Sequence, residues 1–424
     1  MLINEENKFN SDWWDNFLST TQQMTQTSVL KNCMPKDETS LMQTYILEIL
    51  ADLARLRTNK FGYRVYVDGV QLESNEMIQI YDSPPEKGET LEAWTKRTFG
   101  DRKFGMIINQ GEKFNLNLSK MIALKLEPLL AKIGMPTEGI IFTLFIGNYD
   151  STPLGIHLDL PGKSVLHFHL GPGSKTMYTW ETAKYLELVG EEKYNNQNIQ
   201  KYLPYANKYQ FDEGDIYFMP EDTYHVGTQD GLSMAIACWF YNRSNQDFAH
   251  RLQSLLLEQY IKTTDENLKP DNNAIQDVSA VDKTLDLFDM PEELEKLNFK
   301  DLMKETYRDL RYSLYSNAGY RTSPFLKTEQ ISFDPDDIIE VERPYKILYK
   351  ESLDTEKLQL FIRGIKFELN NFESIKTLVD EINNDKPIVV KDALSLLDEK
   401  WDKDIGLYIL SVLYQHNGIN IIKN

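Results

Sequence analysis

The feature that most constrains the fold is a series of short apolar segments, separated by turn residues, between residues 139 and 242. In order, these segments read GIIFTLFIGN, KSVLHFHLG, TMYTWE, YQFDEGDIYFMP and LSMAIACWFYN. Strands that follow one another at such short intervals are typical of antiparallel sheets. The pattern therefore predicts a barrel or sandwich at the centre of the chain.

Helical patterns precede and follow this strand-rich part. Residues 41–56 and 118–134 have apolar residues at helical spacing, and the second pattern ends at Gly134, a normal stop signal. We expect three regions in an α+β chain. They are a first region of helices and strands (1–255), a helical connector (256–335) and a small α+β unit (336–424).

The last two regions are assigned from their periodicity. After a polar linker, PEELEKLNFKDLMKETYRDLRYSLYSNAG has a helical pattern that ends near Asn317 and Gly319. In the third region, FIRGIKFELN alternates like one strand, whereas NFESIKTLVDEIN and DKDIGLYILSVLYQHNG are helical in pattern. No basic stripe is present in this region, so we expect no nucleic-acid partner.

Composition indicates a globular protein and limits the partners and the cellular location that we expect. Hydrophobic residues make up 41% and charged residues 26% of the 424 positions, and the formal net charge is −19. This charge disfavours anionic membranes and nucleic acid and attracts a basic partner. Two cysteines cannot form a disulfide framework, the N-terminus does not resemble a signal peptide, and no apolar run approaches about 20 residues. We therefore expect a cytoplasmic protein.

Two polar residues in GIHLDLPG, at 155–162, raise a specific question. His157 and Asp159 are separated by one residue, so both side chains point the same way if the segment is a strand. Burying two such groups together is costly unless a partner satisfies both of them. A metal ion or a buried hydrogen-bond network would do so.

A third candidate ligand lies far along the chain. His225 opens the strand that follows DIYFMP, in FDEGDIYFMPEDTYHVG. Two histidines and one carboxylate, two of them one residue apart, form a facial triad that leaves three coordination positions open, as in non-haem Fe(II) oxygenases. The metal interpretation is therefore favoured for His157, Asp159 and His225.

The remaining histidines are not counted as ligands. His167 and His169 share one strand face, and they either line the cavity or lie on the barrel exterior. His250 and His416 have no partner in the pattern and are expected to be structural or exposed. Trp239 is expected to serve packing.

Several motifs resemble the JmjC branch of cupin-fold Fe(II)/2-oxoglutarate oxygenases. That family has a TP-x-H-x-D segment with two iron ligands, then G-x-K, then GD-x-x-x-x-P-x-x-x-x-H with the third ligand. The matching segments here are TPLGIHLD, GSKTMYTW and EGDIYFMPEDTYHVG. The resemblance implies a double-stranded β-helix barrel and iron ligands His157, Asp159 and His225. The order of regions is similar to ribosomal oxygenases, which implies a dimerising helical domain and a winged-helix-like C-terminal domain.

The same resemblance assigns the co-substrate site. Lys175 matches the lysine that pairs with the distal carboxylate of 2-oxoglutarate, and Thr152 matches a hydroxyl residue that hydrogen-bonds the same group. Two spacings depart from the family: three residues stand between Pro153 and His157, and the interval to Lys175 is longer. Lys163 is therefore the alternative to Lys175.

The resemblance implies an Fe(II)-, 2-oxoglutarate- and dioxygen-dependent hydroxylase that acts on a side chain of a protein or peptide. The acidic chain is compatible with a basic substrate such as a ribosomal protein, and a homodimer is expected. Alternatives are a tailoring hydroxylase for a ribosomally made precursor peptide, an N-methyl demethylase, and a non-catalytic cupin that senses a ligand.

Overall fold

The structure is a computed structural model, and it describes residues 8–190, 195–196, 198–329, 331–384, 386–397, 401 and 403–423. The chain is a mixture of helices and antiparallel sheets. The helices of the first region are α1 (Ser11–Thr20), α2 (Lys36–Leu56), α3 (Met77–Tyr81), α4 (Leu91–Phe99), α5 (Leu116–Ile133), α6 (Thr182–Val189), α7 (Ile199–Tyr202) and α8 (Asn245–Tyr260).

The strands of this region build one large sheet. They are β1 (Ser28–Leu30), β2 (Arg64–Val67), β3 (Val70–Gln71), β4 (Phe104–Ile108), β5 (Ile140–Gly147), β6 (Ile156–His157), β7 (Lys163–Glu181), β8 (Asn195–Asn196), β9 (Asn207–Phe211), β10 (Ile216–Met219) and β11 (Thr223–Tyr241). The strand order is β1-β10-β7-β11-β5-β4-β2-β3, with β6 also on β11 and β9 on β7. All of these pairs are antiparallel, as the sequence pattern predicts.

Both helices predicted in the first region are present. Helix α5 begins after Asn115, whose side chain accepts a hydrogen bond from the Leu118 N–H, and it ends at Gly134. Helix α2 begins at Lys36, five residues before the predicted start, because its first turn is polar and carries no periodic signal. Two acidic residues in that turn complement the helix dipole.

The long strands β7 and β11 form the centre of the sheet. They pair along their whole length, from Thr223 opposite Glu181 to Tyr241 opposite Lys163, with register irregularities near the middle. The first half of β7 lies between β11 and β10, and the second half lies between β11 and β9. The two predicted segments KSVLHFHLG and TMYTWE are thus one strand.

Residue parity separates the two faces of the central strands. Even-numbered side chains pack with helices α1, α2 and α5 in the main core, and they include Phe142, Leu144, Leu166, Phe168, Ile216, Phe218, Ile236 and Phe240. Odd-numbered side chains line an internal cavity, and they include Ile141, Thr143, Phe145, Val165, His167, Tyr217, Met219, Ala237 and Trp239. The period-2 alternation of strands thereby places one set of side chains in the core and the other around a site.

The remaining elements follow the first region. The helices are α9 (Asp282–Leu285), α10 (Glu292–Glu295), α11 (Phe299–Ser316), α12 (Glu373–Ile382), α13 (Val390–Ser395) and α14 (Lys403–Gln415). The strands are β12 (Ile338–Val341), β13 (Leu348–Glu351), β14 (Lys357–Ile362), β15 (Ile365–Asn370), β16 (Ile388–Val389) and β17 (Ile419–Ile422). They form two three-stranded sheets, β16-β12-β17 and β13-β14-β15, around a separate core.

Two predictions in this part need correction. The expected long helical stretch is divided into α10 and α11, because Asn298 caps the start of α11 with its side chain. The expected single strand FIRGIKFELN is a turn between two strands, since Arg363 and Gly364 have φ values of 48° and 84°. A two-residue turn with both φ values positive joins β14 and β15 into a hairpin.

A buried carboxylate connects the first region to its C-terminal neighbours. Glu138 is 1% exposed and lies beside Arg243, Arg251 and Arg321, with Arg321 Nη2 at 3.2 Å from Glu138 Oε2. Three partly buried guanidinium groups compensate the charge that burial would otherwise make costly. In the part of the chain that is described, no helix has the length and apolarity that a membrane span requires.

Candidate active site

All five predicted site residues line one cavity of about 280 Å³ on the odd-numbered face of the sheet: His157, Asp159, His225, Lys175 and Thr152. The cavity is enclosed mainly by apolar and aromatic walls from β5, β7, β10 and β11. Its described lining contains three basic side chains, Arg64, Lys163 and Lys175, and a single carboxylate, Asp159. Although the chain as a whole is acidic, the cavity interior therefore favours an anionic ligand.

The two histidines face each other across a strand pair. His157 in β6 lies directly opposite His225 in β11, and their ring centroids are 4.3 Å apart. The Nδ1 of His157 contacts the Gly155 carbonyl at 2.9 Å, and the Nδ1 of His225 contacts the Thr223 carbonyl at 3.0 Å. If each Nδ1–H donates to its carbonyl, both Nε2 atoms carry a free lone pair, which is the tautomer that metal-bound histidines adopt.

Asp159 completes the group. Its Oδ2 is 3.7 Å from the Nε2 of His225, and this oxygen is buried without a hydrogen-bond partner among the described residues. Burial, followed by the neighbouring His225 ring, lowers the pKa of His157 to about 4, which keeps that imidazole neutral. Two imidazole rings and a carboxylate oxygen that lacks a hydrogen-bond partner among the described residues together form the donor set of a cation site.

The chemical types of these three side chains suit a metal ion, but their positions do not form a finished coordination site. Within the described ranges, no three histidine, cysteine, aspartate or glutamate side chains already surround one point at ligand distance. The Nε2 of His225 and the Oδ2 of Asp159 are 3.7 Å apart. Asp159 is about a quarter exposed and lies just beyond the end of β6, so its side chain has room to rotate.

Lys175 is a buried cation in the same cavity. It is 5% exposed, and no carboxylate lies within ion-pair distance of its ammonium among the described residues. Its Nζ lies 5.3 Å from the ring centroid of Phe145. Burial lowers the pKa of Lys175 to about 8, because the charged form loses its hydration and gains no counter-ion.

Thr152 and Gly227 lie beside Lys175. The Thr152 hydroxyl donates to the Gly227 carbonyl and accepts from the Gly227 N–H, both at 3.1 Å. A Cβ at position 227 would lie 3.1 Å from both Lys175 Cε and Thr152 Oγ1, and 2.9 Å from Met177 Sδ. Glycine at this position lets the three side chains converge, and Thr152 fixes the backbone around them.

Lys163, the alternative lysine, also lines the cavity. Burial lowers its pKa, while the charge of Asp159 opposes that shift. Its Nζ lies 5.1 Å from the ring centroid of Tyr241 and 5.6 Å from that of Trp239. Lys163 is therefore on the Asp159 side of the cavity.

The structure also shows which other histidines line the cavity and which lining residues the sequence analysis missed. His167 lines the cavity, whereas His169 is buried outside the cavity lining, with its Nε2 at 2.7 Å from the Gly173 carbonyl. Because alternate residues of a strand share one face, Tyr217 and Trp239 can be recognised as cavity-lining residues once one cavity residue on a neighbouring strand is known. Trp239, expected to serve packing, lines the cavity. The lining residues without any such signal are Arg64, Asn109 and Tyr149.

Comparisons with known proteins give structural neighbours only. No family model and no curated protein matches the chain. The structure is similar to YcfD, a ribosomal oxygenase from Escherichia coli, in complex with cobalt and 2-oxoglutarate, with TM-score 0.48, 13% identity, and coverage of 97% of this chain and 98% of that one. Another YcfD structure gives TM-score 0.47 and 14% identity, covering 97% of this chain and 98% of that one.

A further neighbour is SnoK, a non-heme alpha-ketoglutarate-dependent carbocyclase from nogalamycin biosynthesis. Its TM-score is 0.33 at 11% identity, and the match covers 60% of this chain and 93% of that one. At such identities, the function of this chain has to follow from its own site.

Proposed function

We propose that this chain is an Fe(II)- and 2-oxoglutarate-dependent oxygenase that hydroxylates a side chain of a protein or peptide. One observation carries the proposal: among the described residues, a single cavity holds two facing histidines beside a carboxylate oxygen without a hydrogen-bond partner and, separately, a buried lysine without a counter-ion. The first group suits a cation, and the second suits an anion. A metal with a chelating dicarboxylate satisfies both.

His157, His225 and Asp159 would hold the iron through the two Nε2 atoms and the carboxylate. Iron with 2-oxoglutarate and dioxygen supplies the oxidation of an unactivated C–H bond, while the oxo acid is converted to succinate and CO₂. The carbonyl contacts at both Nδ1 atoms orient the rings for this role. We propose that rotation of the Asp159 side chain brings its carboxylate into the site.

Lys175 would bind the distal carboxylate of the oxo acid. An ammonium that is already desolvated meets a carboxylate without a further hydration cost, so the pair gains most of its Coulomb attraction. Phe145, Val165 and Met177 line the walls and limit water around the reacting groups. A role of the Thr152 hydroxyl in binding the carboxylate remains a prediction, as does a role of Lys163.

The finer fold labels are part of this proposal. The central sheet, with β7 and β11 contributing to two sets of partners, supports a double-stranded β-helix of the JmjC type for residues 1–255. Residues 336–424 are proposed to be winged-helix-like. A homodimer through residues 256–335 remains a prediction that light scattering would check, and the cytoplasmic location remains a prediction too.

A cleft beside the cavity supports a basic peptide substrate. It has a volume of about 680 Å³, and its lining includes the exposed carboxylates Glu181, Glu221 and Asp222. The cleft adjoins the site, because Gly162 lines it next to Lys163 of the cavity. We propose that a basic segment of the substrate lies in this cleft while one side chain enters the cavity.

This arrangement predicts a salt-dependent association. Asp222→Asn combined with Glu181→Gln should weaken binding of a lysine-rich test peptide about threefold to tenfold at low salt, and the difference should shrink at 0.5 M NaCl. Fluorescence anisotropy with a labelled peptide measures both values. As a control, Glu258→Gln removes an exposed carboxylate outside the cleft and should bind like the wild type. Equal affinity of all three proteins would reject the cleft as the docking surface.

The oxygenase proposal has a direct test. Purified protein supplied with Fe(II), 2-oxoglutarate, ascorbate and oxygen should form succinate in an uncoupled reaction, and a metal chelator should stop it. Succinate is measured by NMR. A parallel control reaction contains Mg²⁺ in place of iron. Succinate formation that is equal with and without iron would contradict the proposed function.

A further inference from the structure

Lys163 is a cation at the boundary between the cavity and the cleft. It lines the cavity at the first position of β7, and its neighbour Gly162 lines the cleft. Among the described residues, its ammonium makes no hydrogen bond and no ion pair. A substrate side chain that extends from the cleft towards Asp159 therefore passes this ammonium.

Two aromatic rings hold the ammonium in place. Its Nζ is 5.1 Å from the ring centroid of Tyr241, the residue directly opposite on β11, and 5.6 Å from that of Trp239. Ring faces attract a cation and so fix its position. They leave its three N–H donors without an oxygen acceptor, so Lys163 can still donate hydrogen bonds to a ligand.

The charges around Lys163 are mostly positive. Burial lowers the pKa of Lys163, the charge of Asp159 opposes that shift, and the charges of Arg243 and Arg321 add to it. Glu138 is engaged by the same two guanidinium groups. Asp159 is therefore the carboxylate of the described cavity lining that compensates Lys163.

The proposed reaction withdraws this compensation. Asp159 would bind the iron, and Lys175 would bind the distal carboxylate, which leaves Arg64 and Lys163 as uncompensated cations of the described lining. With Fe(II) and the dianionic oxo acid in place, the cavity keeps a surplus of two positive charges. Such a cavity attracts a further anion. Of the two cations, Lys163 is the one whose chain neighbour lines the cleft.

We propose that the substrate side chain that enters the cavity is acidic, an aspartate or a glutamate, and that Lys163 binds its carboxylate. This inference rests on the proposed function, because it names the class of residue that is presented to the iron. The substrate then combines an acidic target residue with basic neighbours, which lie in the cleft beside Glu181, Glu221 and Asp222.

The reaction on this residue replaces one C–H bond by C–OH. One atom of dioxygen enters the hydroxyl group and the other enters succinate, while the oxo acid loses CO₂. Lys163 takes no part in these bond changes. It is a specificity-determining residue, because it holds the target carboxylate beside the metal site.

The test compares lysine-rich peptides that differ at one central residue, which is glutamate, glutamine or leucine. Both peptide ends are blocked, and a leucine peptide with a free C-terminus probes the other source of a carboxylate. Fluorescence anisotropy is measured with Mn(II) and 2-oxoglutarate in the absence of oxygen. The wild type should bind the glutamate peptide about tenfold more tightly than the other three, because a hydrogen bond between two charged groups is stronger than one to a neutral group.

Two substitutions assign the preference to Lys163. Lys163→Met should bind the glutamate and glutamine peptides equally, and Lys163→Arg should keep the preference, since a guanidinium group also binds a carboxylate. Lys208→Met is the matched control, because Lys208 is exposed and lies outside the cavity and the cleft. It should discriminate between the peptides like the wild type.

Calorimetry with 2-oxoglutarate separates Lys163 from the co-substrate site. Lys163→Met should bind 2-oxoglutarate within about twofold of the wild type, whereas a large loss would assign this lysine to the oxo acid and overturn the inference. It is also overturned if the wild type does not prefer the glutamate peptide, or if Lys163→Met keeps that preference.

The outcome distinguishes this inference from the proposed function. If the preference for the glutamate peptide depends on Lys163 but no succinate forms with iron, the acidic-residue site stands and the oxygenase proposal fails. If succinate forms and the preference is absent or independent of Lys163, the oxygenase stands and the assignment of Lys163 is wrong.

Discussion

Replacing His225 by alanine is expected to lower iron-dependent succinate formation by more than about 100-fold. Loss of a residue that only supports a metal ligand already costs about 10- to 100-fold in metal affinity or activity, so loss of a ligand should cost more. His225 is also the residue that adjoins both other candidates, through ring contact with His157 and at 3.7 Å from Asp159.

Asp159→Ala and His157→Ala should behave in the same way. The measurement includes the iron content of each purified variant as well as turnover, so that a loss of metal is distinguished from a loss of chemistry. His250→Ala is the matched control, because His250 is exposed on α8 and remote in sequence from the cavity-lining strands. A His225→Ala protein that keeps both its iron and its turnover would refute the triad.

Replacing Lys175 by methionine is expected to have opposite effects on binding and on stability. The affinity for 2-oxoglutarate should fall about 100-fold, since removing one partner of a buried charge pair costs about 2–5 kcal/mol. The ligand-free protein should instead gain about 3 kcal/mol in its free energy of unfolding, because the buried ammonium lacks a counter-ion among the described residues.

The stability effect depends on pH with a definite sign. In the folded chain the pKa of Lys175 is about 8, below its usual value of 10.5. Below pH 8 the amine is protonated in both states, so the folded state bears the full cost. Between pH 8 and about 10.5 the unfolded state binds more protons, and the stability of the wild type rises with pH relative to Lys175→Met.

Urea denaturation at pH 7 and pH 10 measures this difference. The gain from Lys175→Met should be large at pH 7 and mostly lost at pH 10. Lys208→Met removes an exposed lysine from β9, the strand beside Lys175, and should show little effect at either pH. A Lys175→Met protein that is less stable than the wild type at pH 7 would mean that the lysine has a counter-ion in solution.

The candidate site could be predicted where its residues lie on strands with a regular pattern. His157 and His225 lie on strands, whereas Asp159 lies just beyond the end of β6, so the expectation that one strand would direct both His157 and Asp159 was wrong for Asp159. Arg64 and Asn109 could not be found in this way, because β2 and the end of β4 reach the cavity only through tertiary packing. Nothing local in the sequence indicates that packing.

Two strand boundaries were predicted wrongly from the hydrophobic pattern. FIRGIKFELN alternates like one strand over IKFELN, yet Arg363 and Gly364 take positive φ values and reverse the chain. Conversely, Gly171 and Pro172 resemble a break, but β7 continues through them while paired with β11. Turn chemistry at Arg363 and Gly364 decided the first case, and pairing with β11 decided the second. The hydrophobic period revealed neither.

The ladder between β7 and β11 also limits how this protein can change in length. Eight positions separate His167 from Lys175 on β7, and eight separate their partners, Ala237 and Gln229, on β11, although the register shifts twice in between. The two irregularities thus compensate each other. A deletion of one residue in a single strand would slip the pairing and turn one end of the ladder to the opposite face. Insertions and deletions here should therefore be tolerated only as matched pairs, one on each strand.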